Sequence, residues 1–481
     1  MTNYRWVICA MLFFATTVNY MDRQVLSLTY PGEGGIQNEF GWSDDNYGTI
    51  TSIFSIVYAI CMLFAGKFID WMGTKKGYLW AIFVWSTGAV LHAFCGIATC
   101  GVLTGDWLVG FETAKELLRA YSGPALAISS VSVWFFLGAR CILALGEAGN
   151  FPAAIKVTAE YFPKKDRAYA TAIFNSGASV GALVAPFTIP VLAKFFGWEM
   201  AFIVIGALGY VWMAFWLFIY KKPSENKNVN TAELTYINQD ADTDGDPKDA
   251  DTEGPKISFG KCFTFKQTWA FIVGKFMTDG VWWFFLFWTP AYLKSQFNIN
   301  PTDFQGMLLI FILYLITMLS ILGGKLPTVF INKGMNPYAG RMRAMLIFAF
   351  FPLLGLFAQP LGDLFGTPWF PVILIGILGA AHQSWSANIF STVGDMFPKS
   401  TVATITGIGG MAGGVGSFLI NKGAGSLFTY AEEQGTAFSF MGFDGKPAGY
   451  MIIFCICAVA YLIGWAIMKV LVPKYKPIIV E

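Results

Sequence analysis

Two pairs of charged residues lie inside long apolar stretches of this chain: Asp22 and Arg23 in the first stretch, and Arg140 and Glu147 in a later one. A charge at membrane depth costs about 2.5–3.5 kcal/mol per residue even on lenient insertion scales. Such a charge is normally retained only where it faces a partner, a cavity or a bound molecule. These four residues therefore predict where the chemistry takes place, and they favour transport of a charged molecule coupled to protons.

The spacing of each pair indicates what it can do. Arg140 and Glu147 are seven residues apart, about 20° short of two helical turns, so they share one helix face. Glu147 in a low-dielectric site would take up a proton readily, whereas a nearby Arg140 would favour the ionised carboxylate. Asp22 and Arg23 point about 100° apart, so one can face a cavity and the other a neighbouring helix. A static, purely structural ion pair is the alternative.

The composition indicates a membrane protein. Hydrophobic residues make up 55% of the 481 residues, charged residues make up 13%, and the mean hydropathy is +0.55. A soluble protein of average composition carries about twice that share of charge. Several runs of about 20 apolar residues can cross the hydrocarbon layer as helices. We predict an all-α integral membrane protein with twelve transmembrane helices, at residues 6–28, 47–67, 77–99, 131–157, 168–194, 200–220, 268–293, 304–330, 342–360, 367–395, 402–421 and 448–471.

The distribution of charge predicts the orientation and the domains. The basic residues of the loops fall on one side, so we expect that side and both termini to be cytoplasmic. The polar stretch 221–265 divides the spans six and six. We therefore predict an N-terminal six-helix bundle at 1–220, a solvated cytoplasmic linker, and a C-terminal six-helix bundle at 266–481. Residues 101–130 form an extracytoplasmic insert, which either caps the outer mouth or is a decoration of this lineage.

An internal repeat relates the two halves. The segment Phe162–Lys164 recurs as Phe397–Lys399. Gly181 recurs as Gly416, and a valine precedes each of these two glycines. Both recurrences have the same offset along the chain. Both copies run from a basic inner loop into a helix rich in small residues. Together with the division into six and six spans, the repeat indicates two parallel halves, as in transporters that work by rocking.

The loop after the second predicted span contains Gly66, Asp70, Gly73, Lys75 and Lys76. This pattern, an acid among spaced glycines followed by basic residues, resembles the signature loop of the major facilitator superfamily. The resemblance implies a charge latch that Asp70 closes in one conformation and releases in the other. An ordinary basic inner loop is the alternative.

In four of the spans, the sequence resembles a narrower group of proteins. The stretch 19–24, together with Arg140 and Glu147, is similar to the anion:cation symporter family. The stretches 275–290 and 381–388 are similar to its bacterial hexuronate transporter branch. The similarity covers nearly the whole chain apart from the insert and the acidic linker.

The family resemblance implies that Asp22 and Glu147 carry protons and that Tyr20 and Arg23 contact an anionic substrate. Arginine suits a carboxylate because its planar fork forms two charge-assisted hydrogen bonds. A sugar acid also offers hydroxyls and an apolar ring face. The predicted substrate-binding residues are Tyr20, Arg23, Tyr58, Arg140, Asn175, Lys275, Trp282, Gln383, Trp385 and Asn388.

Packing is the alternative role for several of these side chains. Tyr58 and the tryptophans can pack between helices or lie in an interfacial belt, and Asn175 can bond a neighbouring helix. Lys275 and Asp279 are four residues apart on one helix face, so they form either a structural pair or part of the site.

We therefore predict a proton-coupled symporter that imports a sugar acid by rocker-switch alternating access through the bacterial inner (cytoplasmic) membrane. The favoured substrate is a hexuronate, glucuronate or galacturonate. We expect a monomer whose partners are protons, a small anionic substrate and the lipid bilayer, without nucleic acid, cofactor or metal.

Two alternatives stay open. The first is a symporter of another organic anion, such as an aldonate, a dicarboxylate or phosphate, or one driven by sodium. The second is a membrane sensor or an enzyme, which would need a folded soluble domain or a catalytic constellation. The polar linker and the two histidines of the sequence argue against the second alternative.

Overall fold

A computed structural model of the protein describes residues 2–32, 34–162, 164–239, 257–323, 326–397 and 399–478. Contacts between the helices define two compact units. The first comprises residues 1–29 and 60–252, and the second comprises residues 30–59 and 253–481. Residues 30–59 thus group with the later half of the chain, and the boundary at 59–60 lies inside a helix. The predicted limits of the two six-helix bundles stay a prediction.

The elements before the linker are, in order, α1 (Tyr4–Thr29), α2 (Ile36–Phe40), α3 (Asp44–Met72), α4 (Thr74–Ala93), α5 (Cys95–Thr104), α6 (Phe111–Arg119), α7 (Ala125–Glu147), α8 (Asn150–Tyr161), α9 (Lys164–Phe196) and α10 (Trp198–Ile219). The linker contributes a 3-10 turn (Pro223–Glu225) and α11 (Thr231–Ile237).

The elements after the linker are α12 (Phe259–Cys262), α13 (Lys266–Phe297), α14 (Phe304–Thr317), α15 (Ser320–Gly323), α16 (Leu326–Asn332), α17 (Pro337–Phe350), a 3-10 helix (Phe351–Phe357), α18 (Ala358–Phe365), α19 (Trp369–Met396), α20 (Lys399–Gln434), a 3-10 turn (Gly435–Ala437), strands β1 (Ser439–Phe440) and β2 (Phe443–Asp444), and α21 (Lys446–Leu471). The two strands form an antiparallel hairpin.

Among the described residues, eight helices are long and apolar enough to cross a membrane, and α4 with α5, which meet at 52°, can form a ninth span. The other three predicted spans fall on α1, on α14–α16 and on α20. Helix α1 carries Asp22 and Arg23, α14 has only 14 residues, and α20 is rich in glycine.

Glycines let pairs of long helices approach closely in both units. A Cβ atom at Gly181 of α9 would lie 2.5 Å from the carbonyl oxygen of Thr17 in α1. One at Gly416 of α20 would lie 2.1 Å from the carbonyl oxygen of Phe276 in α13. Such approaches leave no room for a side chain, so the backbones themselves are in contact. These two glycines belong to the predicted repeat, and each makes the same kind of helix contact in its own unit.

Ion pairs inside the second unit hold residues 30–59 in place. Asp44 Oδ2 lies 2.5 Å from Lys446 Nζ, and Asp45 Oδ1 lies 2.6 Å from Lys422 Nζ. Both aspartates are in the first turn of α3, where the helix dipole also favours a negative charge. The start of α3 is therefore fastened to α20 and α21.

The predicted insert consists of the end of α5, all of α6 and the start of α7. Lys115 attaches the insert to α10. Lys115 is only 8% exposed, and its Nζ lies 3.0 Å from Glu199 in α10 and 3.1 Å from Glu112 in α6. The insert is therefore folded against the start of α10.

The beginning of the linker is packed, unlike the solvated segment expected from its composition. Glu233 of α11 is fully buried and accepts hydrogen bonds from the backbone N–H groups of Tyr4 (3.0 Å) and Arg5 (3.1 Å) and from the hydroxyl of Thr2. Its carboxylate also lies 3.2 Å from the Arg5 guanidinium. An acid at the first turn of α1 satisfies N–H groups that have no partner within the helix. The acidic residues 240–251 lie outside the described residues.

We expect Glu233→Gln to lower the stability of the protein by about 1.5–3 kcal/mol near neutral pH, the range for hydrogen bonds to a charged group. Burial alone raises the pKa of Glu233, but the hydrogen bonds from Thr2, Arg5 and Tyr4 lower it below its ordinary value. The stabilisation is therefore present above the unfolded pKa of about 4.3 and is lost as the pH falls through the folded pKa.

Thermal unfolding in detergent measures this effect, and the difference between wild type and variant should shrink as the pH approaches about 4. The matched control is Glu225→Gln, because Glu225 is an exposed acid of the same linker. Equal losses in both variants would contradict the capping role.

Candidate functional site

Close packing of α4 and α7 positions the first candidate acid. A Cβ atom at Gly146 would lie 2.2 Å from the backbone nitrogen of Trp85, so only glycine allows this approach. Helix α7 ends at Glu147 and α8 begins at Asn150, although both belong to one membrane span, Leu126–Thr158. Glu147 therefore lies at a helix break inside a span, where its side chain is fully enclosed.

A buried ion pair connects α1 to α7. Arg23 Nε donates to Glu147 Oε2 over 2.6 Å, and the side chains are 5% and 0% exposed. The guanidinium carbon of Arg23 also lies 5.0 Å from the centre of the Tyr20 ring, which is within the range of a cation–π contact. The cation expected to contact a substrate is thus engaged by the acid expected to carry a proton.

Asp22 and Arg140 complete a cluster of four charged residues. Asp22 is 2% exposed and Arg140 is 1% exposed. Glu147 and Arg140 are the charged groups that interact electrostatically with Asp22. Arg140 also interacts electrostatically with Glu147. The Trp85 side chain also acts on Asp22, as a neutral hydrogen-bonding neighbour. We call Asp22, Arg23, Arg140 and Glu147 the charge cluster.

The structure modifies one expectation about this cluster. Arg140 acts on Glu147, in keeping with their common helix face, but the direct ion pair of Glu147 is with Arg23 on another helix. Asn175 of α9 is exposed. Tyr58 belongs to the second unit, where its ring lies 6.1 Å from Phe54 and 6.0 Å from Trp283.

In the second unit, Lys275 and Asp279 form the predicted pair on α13. Lys275 Nζ lies 2.8 Å from Asp279 Oδ2, and it also lies 4.2 Å from the centre of the Phe390 ring. The side chain of Asp279 packs against Gly413 of α20, where a Cβ atom would come within 2.2 Å of the carboxylate. The lysine is thus neutralised by an acid one turn away.

The remaining predicted residues lie on α13 and α19. Trp282 is half-buried and stacks on His382, with ring centres 5.3 Å apart and an angle of 2° between the planes. Trp385 is fully buried, and the Asn388 amide donates to the Ser384 carbonyl of its own helix over 2.8 Å. Gln383 is half-buried. Roles for these residues in binding substrate stay a prediction.

The candidate latch lies in the junction between α3 and α4. Gly73 alone separates the two helices and has a φ of +77°, a conformation that favours glycine. Lys75 Nζ donates to the carbonyl of Leu217 near the end of α10 over 2.8 Å, Lys76 is exposed, and Gly66 has open space around it. The side chain of Asp70 lies outside what the structure describes, so the latch stays a prediction.

Two residues of the second unit, His382 and Tyr461, are not among the predicted site residues. Tyr461 of α21 contacts His382, with 2.6 Å between its hydroxyl and Nδ1, and its ring also packs against Trp385 at 5.5 Å. The signal for His382 was its rarity, since the chain has two histidines. Tyr461 lies in a uniformly apolar stretch and gave no signal.

Comparisons with known proteins show what this chain is similar to. A sequence model described as "Major Facilitator Superfamily" matches residues 12–420. The chain is 26% identical over 473 residues to the hexuronate transporter of Escherichia coli (strain K12), covering 97% of this chain and 94% of the relative. It is 27% identical over 329 residues to the galacturonate transporter of Dickeya chrysanthemi, covering 68% and 82%.

Among solved structures, the chain is similar to a bacterial homologue of the human lysosomal transporter Spinster in an inward-facing, occupied conformation. The TM-score is 0.67 with 17% sequence identity, and the match covers 97% of each chain. At this identity the likeness concerns the fold alone. The predicted fold class is confirmed: an all-α integral membrane protein with twelve transmembrane helices in two six-helix bundles.

We expect Gly146→Ala to destabilise the protein by more than about 1–3 kcal/mol, the usual range for overpacking, because the new methyl group meets backbone and not a flexible side chain. Gly138→Ala is the matched control on the same helix, where a Cβ atom meets nothing within 4 Å. Alanine there should raise stability by about 0.5–1 kcal/mol. Thermal unfolding in detergent compares the two, and equal behaviour would contradict the close approach of α4 and α7.

Proposed function

Since the chain belongs to the Major Facilitator Superfamily, we propose that it imports a sugar acid together with protons and that the substrate is a hexuronate such as glucuronate or galacturonate. Members of this family are membrane transporters, so the protein is not an enzyme. It is a multi-pass protein of the bacterial inner membrane. The observation that carries the proposal is the buried charge cluster.

The relatives support the class of substrate. Two of them, each more than 25% identical to this chain, are named for hexuronate and galacturonate. The residue chemistry of the cluster is consistent with such an anion. Arg23 offers a planar fork of donors that matches a carboxylate, and Tyr20 beside it offers an aromatic face.

Proton coupling follows from charge balance in the cluster. Two arginines and two ionised acids sum to zero, and all four side chains are almost completely buried. A substrate carboxylate that replaces Glu147 at Arg23 would leave an uncompensated negative charge in a poorly hydrated site, which is costly. A proton taken up by Glu147 removes that charge and releases Arg23 at the same time. Substrate and proton thus favour each other's binding.

Asp22 provides a second proton site. Its side chain is almost completely buried, with the neutral Trp85 side chain as a hydrogen-bonding neighbour, and a neutral donor offsets only part of the cost of burying an ionised carboxylate. Arg140 is the positive charge that acts on it. Protonation of Asp22 would free Arg140 to compensate another anion in the cluster, which is the exchange that a symporter requires.

A sugar acid with one carboxylate fits the charges better than a dicarboxylate. Lys275 is the charged basic residue at the candidate site of the second unit, and Asp279 already neutralises it. A second carboxylate on the substrate would therefore have to displace a second acid from its basic partner. An aldonate, which also has one carboxylate, is the alternative substrate that a transport panel has to include, and coupling to sodium is the alternative driving force. A monomer is the proposed functional state.

The purified protein in proteoliposomes should accumulate glucuronate or galacturonate when the outside is acidic, because inward proton movement drives uptake. Glu147→Gln should lose this accumulation but retain exchange of labelled for unlabelled substrate, since glutamine resembles the protonated acid. Radiolabel uptake with and without a pH gradient and a protonophore measures both activities.

Glu116→Gln serves as the control, because Glu116 is an exposed acid on α6. Uptake that ignores pH and protonophore in the wild type would rule out proton coupling. Normal accumulation by Glu147→Gln would show that the Arg23–Glu147 pair is static. Uptake that follows a sodium gradient would favour the alternative driving force.

Arg23→Ala should weaken binding of the acid by about 2–5 kcal/mol, because it removes one side of a desolvated charge pair. Arg23→Lys should restore only part of the affinity, since an ammonium lacks the bidentate geometry. The measurement is substrate binding to the purified variants, with a neutral sugar of the same ring as the control ligand. Comparable losses for acid and neutral sugar would mean that Arg23 supports the fold and not the carboxylate.

A further inference from the structure

Four aromatic side chains of the second unit form a cluster that the charge cluster does not explain. We call Trp282, His382, Trp385 and Tyr461 the aromatic cluster. His382 is 4% exposed, its Nδ1 lies 2.6 Å from the Tyr461 hydroxyl, and its ring stacks on Trp282. A polar imidazole inside a membrane span is costly to retain and calls for a role.

The hydrogen bond to Tyr461 determines which ring nitrogen of His382 carries the proton. The Tyr461 hydroxyl has two possible acceptors, His382 Nδ1 at 2.6 Å and the Thr278 carbonyl at 3.4 Å. The longer distance exceeds the usual range for a hydroxyl donor, about 2.5–3.0 Å. Donation from the hydroxyl to Nδ1, the shorter of the two contacts, leaves a neutral imidazole with its proton on Nε2.

The Nε2–H group is held in position but has no partner. Nε2 forms no hydrogen bond within the described part of the chain, and it is not among the fully enclosed polar atoms. The ring cannot turn freely, because Trp282 covers its face and Tyr461 fixes its opposite nitrogen. Trp385, packed against Tyr461 at 5.5 Å, supports the tyrosine in turn. The result is a preorganised donor beside the half-buried Trp282.

We propose that His382 binds the substrate: its Nε2–H donates to a hydroxyl oxygen of the sugar acid, with Tyr461 as the positioning residue. A neutral donor selects an oxygen without adding charge, so it suits a hydroxyl group. This inference rests on the proposed function, since it names a residue that binds the proposed sugar acid.

Two isosteric replacements separate this role from a structural one. The amide nitrogen of glutamine takes the place of Nε2, whereas that of asparagine takes the place of Nδ1. Glucuronate and galacturonate exchange across proteoliposomes, with substrate on both sides and no pH gradient, gives KM and the maximal rate. His382→Gln should keep KM within about threefold of wild type, and His382→Asn should raise it about tenfold, the effect of one lost hydrogen bond.

A purely structural histidine predicts the reverse order. Asparagine would preserve the contact with Tyr461 and keep KM normal, whereas glutamine would lose that contact. The reverse order, equal losses, or two normal variants would each overturn the donor assignment. Size-exclusion profiles and thermal unfolding in detergent check that the variants are folded.

Tyr461→Phe tests the positioning role without changing the histidine. It removes only the hydroxyl, so KM should rise about two- to threefold while the maximal rate changes less. Tyr450→Phe is the matched control, because Tyr450 is a buried tyrosine of the same helix whose hydroxyl has no partner among the described residues. A normal KM in Tyr461→Phe would overturn the role of Tyr461.

The two proposals fail in different ways. If the wild type exchanges none of the sugar acids in the panel, the proposed function fails, and the inference fails with it. If the wild type exchanges a hexuronate normally but the His382 and Tyr461 variants give an overturning result, only the inference fails.

Discussion

The buried ion pair between Arg23 and Glu147 is the interaction on which the first unit depends. Removing one partner from such a pair leaves a buried charge and typically costs about 3–5 kcal/mol. The pair therefore requires α1 and α7 to keep one relative position. Glycines make this possible, since Gly181 lets α9 lie against the backbone of α1 and Gly146 lets α7 lie against α4. Gly181 and Gly146 thus help to position the candidate site, although a glycine has no side chain that could react.

Much of the fold could be predicted from the sequence, because apolar runs and basic loops respond directly to the membrane. The structural features that could not be predicted are determined by contacts between distant segments of the chain. Glu233 lies in a polar stretch, yet it is buried because the N–H groups at the start of α1 need an acceptor. Asp44 and Asp45 lie just before the second predicted span, yet lysines from the last two helices pair with them. No local pattern encodes these partners.

The candidate site was predictable to the same extent. Helical spacing correctly placed Lys275 beside Asp279, because residues four apart share a face. Spacing could not predict that Arg23 would pair with Glu147, since it says nothing about which helices are neighbours. It also could not separate Trp282, which is half-buried, from Trp385, which is fully buried. That difference depends on the rotation of α13 and α19 about their axes, which packing decides.

Charge neutrality relates the Arg23–Glu147 pair to the proposed transport mechanism. Within the charge cluster two arginines balance two acids, and Lys275 is balanced by Asp279. Among the residues that the structure describes, neither the charge cluster nor the Lys275–Asp279 pair has a surplus cation that could hold an anion permanently. In the proposed mechanism, an anion therefore enters when an acid gives up its negative charge by taking up a proton, and it leaves once that acid loses the proton again. A surplus arginine would bind the same anion more tightly but would hold it without a proton, and coupling would be lost. In that mechanism, the balance of buried charges lowers the affinity for the anion and allows an exchange that a proton gradient can drive.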